Sequence, residues 1–239
     1  MRSEIITEKI KSSYIRKHPL FANMPAEEIH EIASSAQLVH LRKKVPYTLN
    51  DRLPPKIYFL VVGAARIERA SVTGTGFIKD ILIDGGVFGD LSLNGAEANG
   101  SITALTQNTY FFYFTSTVFR KLMLKYQELL PNYAEIIGNK QYQLEERHYI
   151  WLNTDAKCRL LHFLRDWSRV SGIKAETKLV LENPFSLHDI ADYIGVSRQF
   201  MHVLLKTLKE EGLVRYSRKK IELSYALFGV NQEVPKKAG

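Results

Sequence analysis

The sequence predicts an α+β chain: an antiparallel β sandwich or barrel, then one long helix, then a compact helical unit closed by a hairpin. Three observations carry this. Between residues 39 and 114, segments rich in Val, Ile, Tyr and Phe alternate with turn residues, and eight of the 14 glycines fall within residues 63–100. Short strands joined by close turns read that way. Leu130, Ile137, Leu144 and Trp151 then recur every seven residues, a helical column. Last, DIADYIGVSRQFMHVLLKTL at residues 189–208 places Ala191 four residues before Gly195 within helical apolar spacing, as two helices meeting at a sharp turn require.

The elements follow in order. Residues 1–17 read as a short basic arm, with five basic and two acidic side chains. In HPLFANMPAEEIHEIASSAQ, Pro25 and the acidic residues after it open a short helix with Ile29 and Ile32 on one face. The strands are expected in IYFLVVGAARIERA, GFIKDILIDGGVFGDLSL and SITALTQNTYFFYF. The aromatic run Tyr110-Phe111-Phe112-Tyr113-Phe114 is read as core rather than pocket lining. Helical periodicity returns near Ser116, and Pro131 suits the first turn of a helix reaching about Leu152. Its seven-residue column fits either a helix lying on its own β domain or a two-fold dimer seam. WLNTDAK marks a hinge at residues 153–155, where Thr154 or Asp155 caps the next helix, residues 156–170, with Leu160, Leu161, Leu164 and Trp167 on one face. Residues 177–181 read as a strand, and Ser186 with Asp189 as a cap that starts a helix at Leu187. LVRYSRKKIELSY reads as the closing hairpin.

Composition narrows the function classes. The formal net charge is +8, of which residues 155–239 carry +5 and residues 1–17 carry +3. A neutral middle and a basic C-terminal third suggest two tasks in two domains and a polyanionic partner. The lone Cys158 excludes an internal disulfide and a cluster held by several thiolates, and it is expected as a small core residue. His18, His30 and His40 carry no haem motif. No cofactor and no metal is expected. No stretch is long and apolar enough for a membrane span, and the start MRSEIITEKI lacks a signal-peptide core, so a cytoplasmic chain without membrane partners is expected. No Ser-His-Asp set, metal-ligand spacing or phosphate loop is present, so an enzyme is not expected.

The helix–turn–helix spacing has a mechanical reason. Ala191 lets the helices touch and Gly195 tolerates positive φ, while Ile190, Ile194, Val196, Met201 and Leu204 bury the inner faces. Such a unit turns the start of its second helix outward, here Ser197-Arg198-Gln199. In a major groove Arg pairs bidentately with guanine and Gln with adenine. Residues 198–220 hold seven basic side chains against two acidic, four of them in the hairpin, a geometry suited to phosphates. His202 fits either a surface contact or half-buried packing. The alternative is a ligand-binding module whose winged helix docks onto protein rather than DNA.

Over residues 15–228 the order of parts resembles the cyclic-AMP receptor protein/FNR (Crp/Fnr) family of bacterial transcription regulators. The anchors are HPLFANMPAEEI, IYFLVVGAARI, GGVFGDLSL, SITALTQNTYFFYF and GVSRQFMHVLLKTLKEEGLV. The resemblance implies a cyclic-nucleotide-binding-like β-roll (jelly roll) with an N-terminal helix over residues 1–128. It implies a dimerisation helix over 129–153, with Leu130, Ile137, Leu144 and Trp151 as seam, and a winged helix-turn-helix over 154–239. It implies a homodimer on a palindromic site in double-stranded DNA, with RNA polymerase as a further partner contacted through a loop at residues 170–174. By the same resemblance Arg198, Gln199 and Val203 read bases, with His202 and Phe200 contributing. Ser186, His188, Ser197, Lys206, Ser217 and Lys219 contact phosphates. Many family members carry Arg where Val203 stands, so Val203 is expected to touch a thymine methyl or to pack inward, with a different target sequence.

The sensor departs most from the family. Cyclic-AMP binders hold the phosphate with an Arg-Ser pair after a Gly-Glu-Leu motif. Here the motif is Gly89-Asp90-Leu91 and the pair falls on Ala98-Asn99; residues 92–101 contain no Arg or Lys. A buried phosphate needs a guanidinium and amide donors. The adenine-contacting pair falls on Leu144-Glu145, where a carboxylate would repel the nucleotide. Cyclic AMP is therefore not expected in the family's mode. An uncharged lipid-like or aromatic effector, or none, stays open.

Overall fold

The computed structural model describes residues 8–49, 54–70, 76–94 and 100–228. The chain divides into two compact units, residues 1–144 and 145–239.

In the first unit, helix α1 (Glu8–Lys17), a 3-10 turn (Pro19–Phe21) and helix α2 (Ala26–Ser35) precede eight strands. These are β1 (Gln37–Leu41), β2 (Pro46–Leu49), β3 (Lys56–Val62), β4 (Ala65–Ala70), β5 (Gly76–Leu82), β6 (Val87–Gly89), β7 (Gly100–Ala104) and β8 (Thr109–Thr115). They form two four-stranded antiparallel sheets, in the orders β1-β8-β3-β6 and β2-β7-β4-β5. Helix α3 (Ser116–Lys125), capped by the Thr115 hydroxyl, leads into the long helix α4 (Leu129–Asn153).

Alternation along the strands builds two cores. Tyr58, Leu60, Ile67, Phe88, Ile102 and Phe111 pack together on one side of their strands. Ile57, Phe59, Phe112 and Phe114 point the other way, onto Ile15, Phe21, Ile29, Ile32, Phe119 and Tyr133 of the helices. The aromatic run in β8 is thus buried on both faces, as expected of core. Phe59 stacks on Phe112 and Tyr58 on Phe88, with ring centroids 5.1 and 4.8 Å apart. Such offset pairs add to the burial itself.

Residues 8–17 are helical, not an arm. Ile15 is fully buried and Tyr14 stacks on Tyr110 at 4.7 Å, so tertiary contacts hold a segment whose own apolar content is low.

The second unit holds the end of α4, helix α5 (Ala156–Ser171), strands β9 (Gly172–Lys174) and β10 (Lys178–Glu182), helices α6 (Leu187–Ile194) and α7 (Arg198–Glu210), and the hairpin β11 (Val214–Tyr216) and β12 (Lys220–Ser224). A short 3-10 turn, Tyr225–Phe228, follows. The sheet order is β11-β12-β10-β9. Asp155, rather than Thr154, caps α5, its carboxylate accepting the Cys158 N–H at 2.8 Å. The Thr154 hydroxyl instead donates to the Ile150 carbonyl at 2.6 Å.

Two expectations are corrected. Residues 170–174, read as loop, are instead the end of α5 and the edge strand β9, which pairs with β10. Cys158 is exposed, not core. Helix α5 buries Leu160, Phe163, Leu164 and Trp167. Two residues before Leu160 lies about 200° around the helix, on the opposite face.

Among the described residues no helix is long and apolar enough to cross a membrane. No group of three metal-binding side chains is present among them either.

Candidate nucleic-acid interface

The turn between α6 and α7 is built locally. A full capping box opens α6: the Ser186 hydroxyl accepts the Asp189 N–H at 3.1 Å, and the Asp189 carboxylate accepts the Ser186 N–H at 2.7 Å. Two of the orphan N–H groups at the helix start are thereby satisfied. Gly195 ends α6 in the left-handed region, at φ 69° and ψ 47°. Ser197 restarts the chain as the cap of α7, its hydroxyl accepting the Phe200 N–H at 3.1 Å. Ile190, Ala191, Ile194, Met201, Leu204 and Leu208 are buried, which fixes the two helices against each other. Val196, expected in this set, is only half-buried.

The opposite face of α7 is open. Arg198, Gln199, Phe200, His202, Val203, Lys206 and Lys209 are all exposed. Val203 is 56% exposed, so it does not pack inward, and His202 is a surface residue. In the hairpin Arg215, Arg218, Lys219 and Lys220 are exposed. Its one carboxylate, Glu222, pairs with Lys178 at 2.9 Å, and that hydrogen bond holds it below the usual carboxylate range. The hairpin thus presents its cations outward.

The expected phosphate-contacting residues differ in their state. Ser186, His188 and Ser197 are exposed around the two helix starts, with His188 Nε2 3.3 Å from Asp192. Lys206 lies 3.9 Å from Glu210, a weak exposed pair. The Ser217 hydroxyl donates to the Lys220 carbonyl at 2.8 Å, so it shapes the hairpin tip and leaves Arg218 and Lys219 as its outward groups. Sequence reasoning missed Asn183. Its backbone N–H donates to the Lys219 carbonyl and its side-chain amide to the Ser217 carbonyl, while its Oδ1 accepts the Phe185 N–H. This buried amide ties the hairpin tip to the start of α6. The Asn-Pro dipeptide at residues 183–184 was the available signal.

A family model for the Crp-like helix-turn-helix domain matches residues 158–224. The chain is similar to a probable transcriptional regulator, flp, of Lacticaseibacillus casei, 26% identical over 210 residues, which covers 86% of this chain and 91% of that protein. It is also similar to the global nitrogen regulator of Synechococcus elongatus, 25% identical over 168 residues, covering 70% of this chain and 76% of that protein. Residues 158–224 thus form a Crp-like helix-turn-helix domain, in a chain similar over most of its length to transcriptional regulators. The fold agrees: a CooA mutant from Carboxydothermus hydrogenoformans superposes with a TM-score of 0.68 at 21% identity, over 82% of this chain and 87% of that one.

The Gly89-Asp90-Leu91 motif is held in place by its surroundings. Gly89 has φ +94°, and a Cβ there would lie 2.5 Å from the Lys56 carbonyl oxygen, so only glycine fits. Asp90 is buried, and its carboxylate accepts the Ser116 hydroxyl at 2.7 Å and the Ser92 hydroxyl at 3.2 Å. The Leu91 carbonyl accepts the Tyr133 hydroxyl, and Arg120 donates to the Leu93 carbonyl. Burial, and then the nearby Asp90 carboxylate, hold the Tyr133 phenol above its ordinary value. Residues 89–94 are therefore clasped by α3 and α4. Ala98 and Asn99 lie outside the described residues. Leu144 and Glu145 are exposed on α4.

Of the expected seam, Leu130 is 58% exposed, Leu144 and Trp151 are exposed, and Ile137 is half-buried. The intervening positions turn inward. Tyr133 is buried, Lys140 pairs with Asp80 at 2.8 Å, and the Arg147 guanidinium lies 5.0 Å over the Tyr193 ring.

Proposed function

We propose that this regulator acts as a homodimer that reads a palindromic duplex, with Arg198, Gln199, His202 and Val203 facing base edges. Ser186, His188, Ser197, Lys206, Ser217 and Lys219 then lie toward phosphates. The observation that carries this is the two-faced α7: Met201, Leu204 and Leu208 are buried while the outward face and the hairpin beside it expose a run of cations. Paired helices of this kind enter successive major grooves about 34 Å apart. The exposed Leu130 and Leu144, with half-buried Ile137, support α4 as the pairing surface. The proposed division is a β-roll sensor over residues 1–128, the pairing helix over 129–153 and the winged helix over 154–239, with reorientation at residues 153–155. RNA polymerase is the further partner that the family implies, and the cytoplasm is the compartment where both partners lie.

Selection from random duplexes at moderate salt, without added effector, tests this. Enrichment of a palindrome is the expected outcome. Binding should also weaken steeply with salt, because each neutralised phosphate releases counterions. Binding without enrichment would reject base reading. Absence of salt-sensitive binding would favour the second reading, a winged helix that docks onto protein; the exposed apolar pair Phe200 and Val203 is the feature that favours it.

Val203 adds a sharper expectation. An aliphatic side chain on the reading face matches a thymine methyl. Replacing each operator thymine in turn by deoxyuridine should weaken binding about fourfold at one position per half-site, the worth of one buried methyl at about 0.8 kcal/mol. The same replacement should have a smaller effect on a Val203→Ala variant, whose single methyl makes less contact.

The residues on the sensor side do not fit a cyclic nucleotide held in the family's mode. Residues 92–101 offer no cation to a phosphate, and the Asp90 carboxylate already holds two hydroxyls. A calorimetric titration with cyclic AMP is expected to give no heat of binding up to millimolar nucleotide. Micromolar affinity would reverse this assignment.

A further inference from the structure

Gly195 meets two demands, and only one of them is conformational. Its φ of +69° already favours glycine. The space above it is also filled: a Cβ there would lie 2.6, 2.9 and 3.4 Å from Cη2, Cζ3 and Cζ2 of Trp151. Gly212, just beyond the other end of α7, has φ +71° and nothing within 4 Å of a built Cβ. Close approach is therefore particular to the turn that sets the angle between α6 and α7. On the α5 side, the Arg159 guanidinium sits 5.4 Å from the Trp151 ring centroid. One turn earlier on α4, Arg147 covers Tyr193 of α6, which packs on Phe163 of α5 at 5.2 Å. These last residues of α4 belong to the same compact unit as the winged helix.

We infer that Trp151 is a positioning residue for DNA reading: its indole, seated on Gly195, sets the tilt of the turn and so the placement of Arg198 and Gln199. The inference rests on the proposed DNA-reading function. Arg198 follows the turn by three residues, so a small rotation at Gly195 displaces it directly. Hydrogen bonds to base edges tolerate little displacement, whereas phosphate contacts carry no sequence information and are the more forgiving. Trp151 is 39% exposed and the core between α6 and α7 does not include it. Removing the ring therefore loosens orientation without emptying that core. The column that the sequence offers to a dimer partner thus ends on a side chain braced against the reading turn of its own chain.

The test compares the full chain with Trp151→Ala, Trp151→Leu and Trp151→Phe on two duplexes, the selected operator and a shuffled duplex of equal length. Sedimentation and thermal melting are followed on the same samples. Trp151→Ala and Trp151→Leu are expected to lose at least tenfold in operator affinity, to keep shuffled-duplex affinity and its salt dependence within twofold, and to remain folded dimers. Trp151→Phe should recover most of the loss. Unchanged operator affinity, equal losses on both duplexes, or a monomeric Trp151→Leu would overturn the positioning role, the last by assigning the ring to the seam. A wild-type chain that enriches no operator would overturn the DNA-reading function and this role with it.

Discussion

Replacing Arg198 by alanine is expected to weaken operator binding and relax sequence selectivity while leaving the fold intact. A bidentate arginine–guanine pair contributes about 1–3 kcal/mol of discrimination, roughly fivefold to more than a hundredfold per half-site. A two-fold dimer loses it twice. The same change should not destabilise the protein. Arg198 is exposed at the first position of α7, where the helix dipole opposes a cation. Alanine there is expected to leave the denaturant midpoint unchanged or slightly raised. A side chain that works against its own helix is easier to explain by what it contacts outside the chain than by stability. Footprinting and competition against a shuffled duplex check the first half, and urea unfolding the second. An unchanged footprint would remove α7 from base reading.

Arg198 was accessible to sequence reasoning because everything that orients it is local. Ser186 with Asp189, Gly195 and Ser197 each act within three or four residues, and the apolar spacing of Ile190, Ile194, Met201 and Leu204 states which face is buried. The strands of the sandwich were legible for the same reason, since alternation is a local pattern. What escaped depends on distant partners. Helix α1 carries few apolar residues, and its stability comes from Ile15 in the core and Tyr14 on Tyr110. Strand β9 is three residues long with Ile173 67% exposed, and only its pairing with β10 defines it. Asp90 was recognised as part of a sensor motif, but not that its carboxylate turns to Ser116. Asn183 shows no role until the hairpin tip folds back onto it. Trp151 fitted a seven-residue column, and no spacing rule connects it to Gly195.

His18 gives the second large effect, on stability. Its ring is fully buried, edge-on to Phe59 and Phe112 at 5.2 and 5.9 Å. Nδ1 accepts the Leu20 N–H at 3.2 Å and so caps the 3-10 turn, while Nε2 has no hydrogen-bond partner among the described residues. Burial pushes the imidazole from 6.5 down to about 3, and the backbone at Gly85 and Gly86 offsets only part of that. The folded state therefore holds the ring neutral while the unfolded chain takes up a proton. Stability from the neutral ring is complete above pH 6.5 and is lost as pH falls through 6.5 toward about 3. At pH 4 the loss is about 3 kcal/mol, a large share of a typical domain's margin. The depressed carboxylates Glu31, Asp155 and Glu222 act lower, as pH falls below their ordinary range, so they do not contribute to the decline between pH 6.5 and 5. A His18→Asn variant keeps an oxygen acceptor for the Leu20 N–H and does not titrate. Urea midpoints at pH 7, 6 and 5 should fall steadily for the wild type and stay level for His18→Asn. Parallel slopes in the two proteins would mean that the buried ring is protonated in the folded state, and that Nε2 finds an acceptor there.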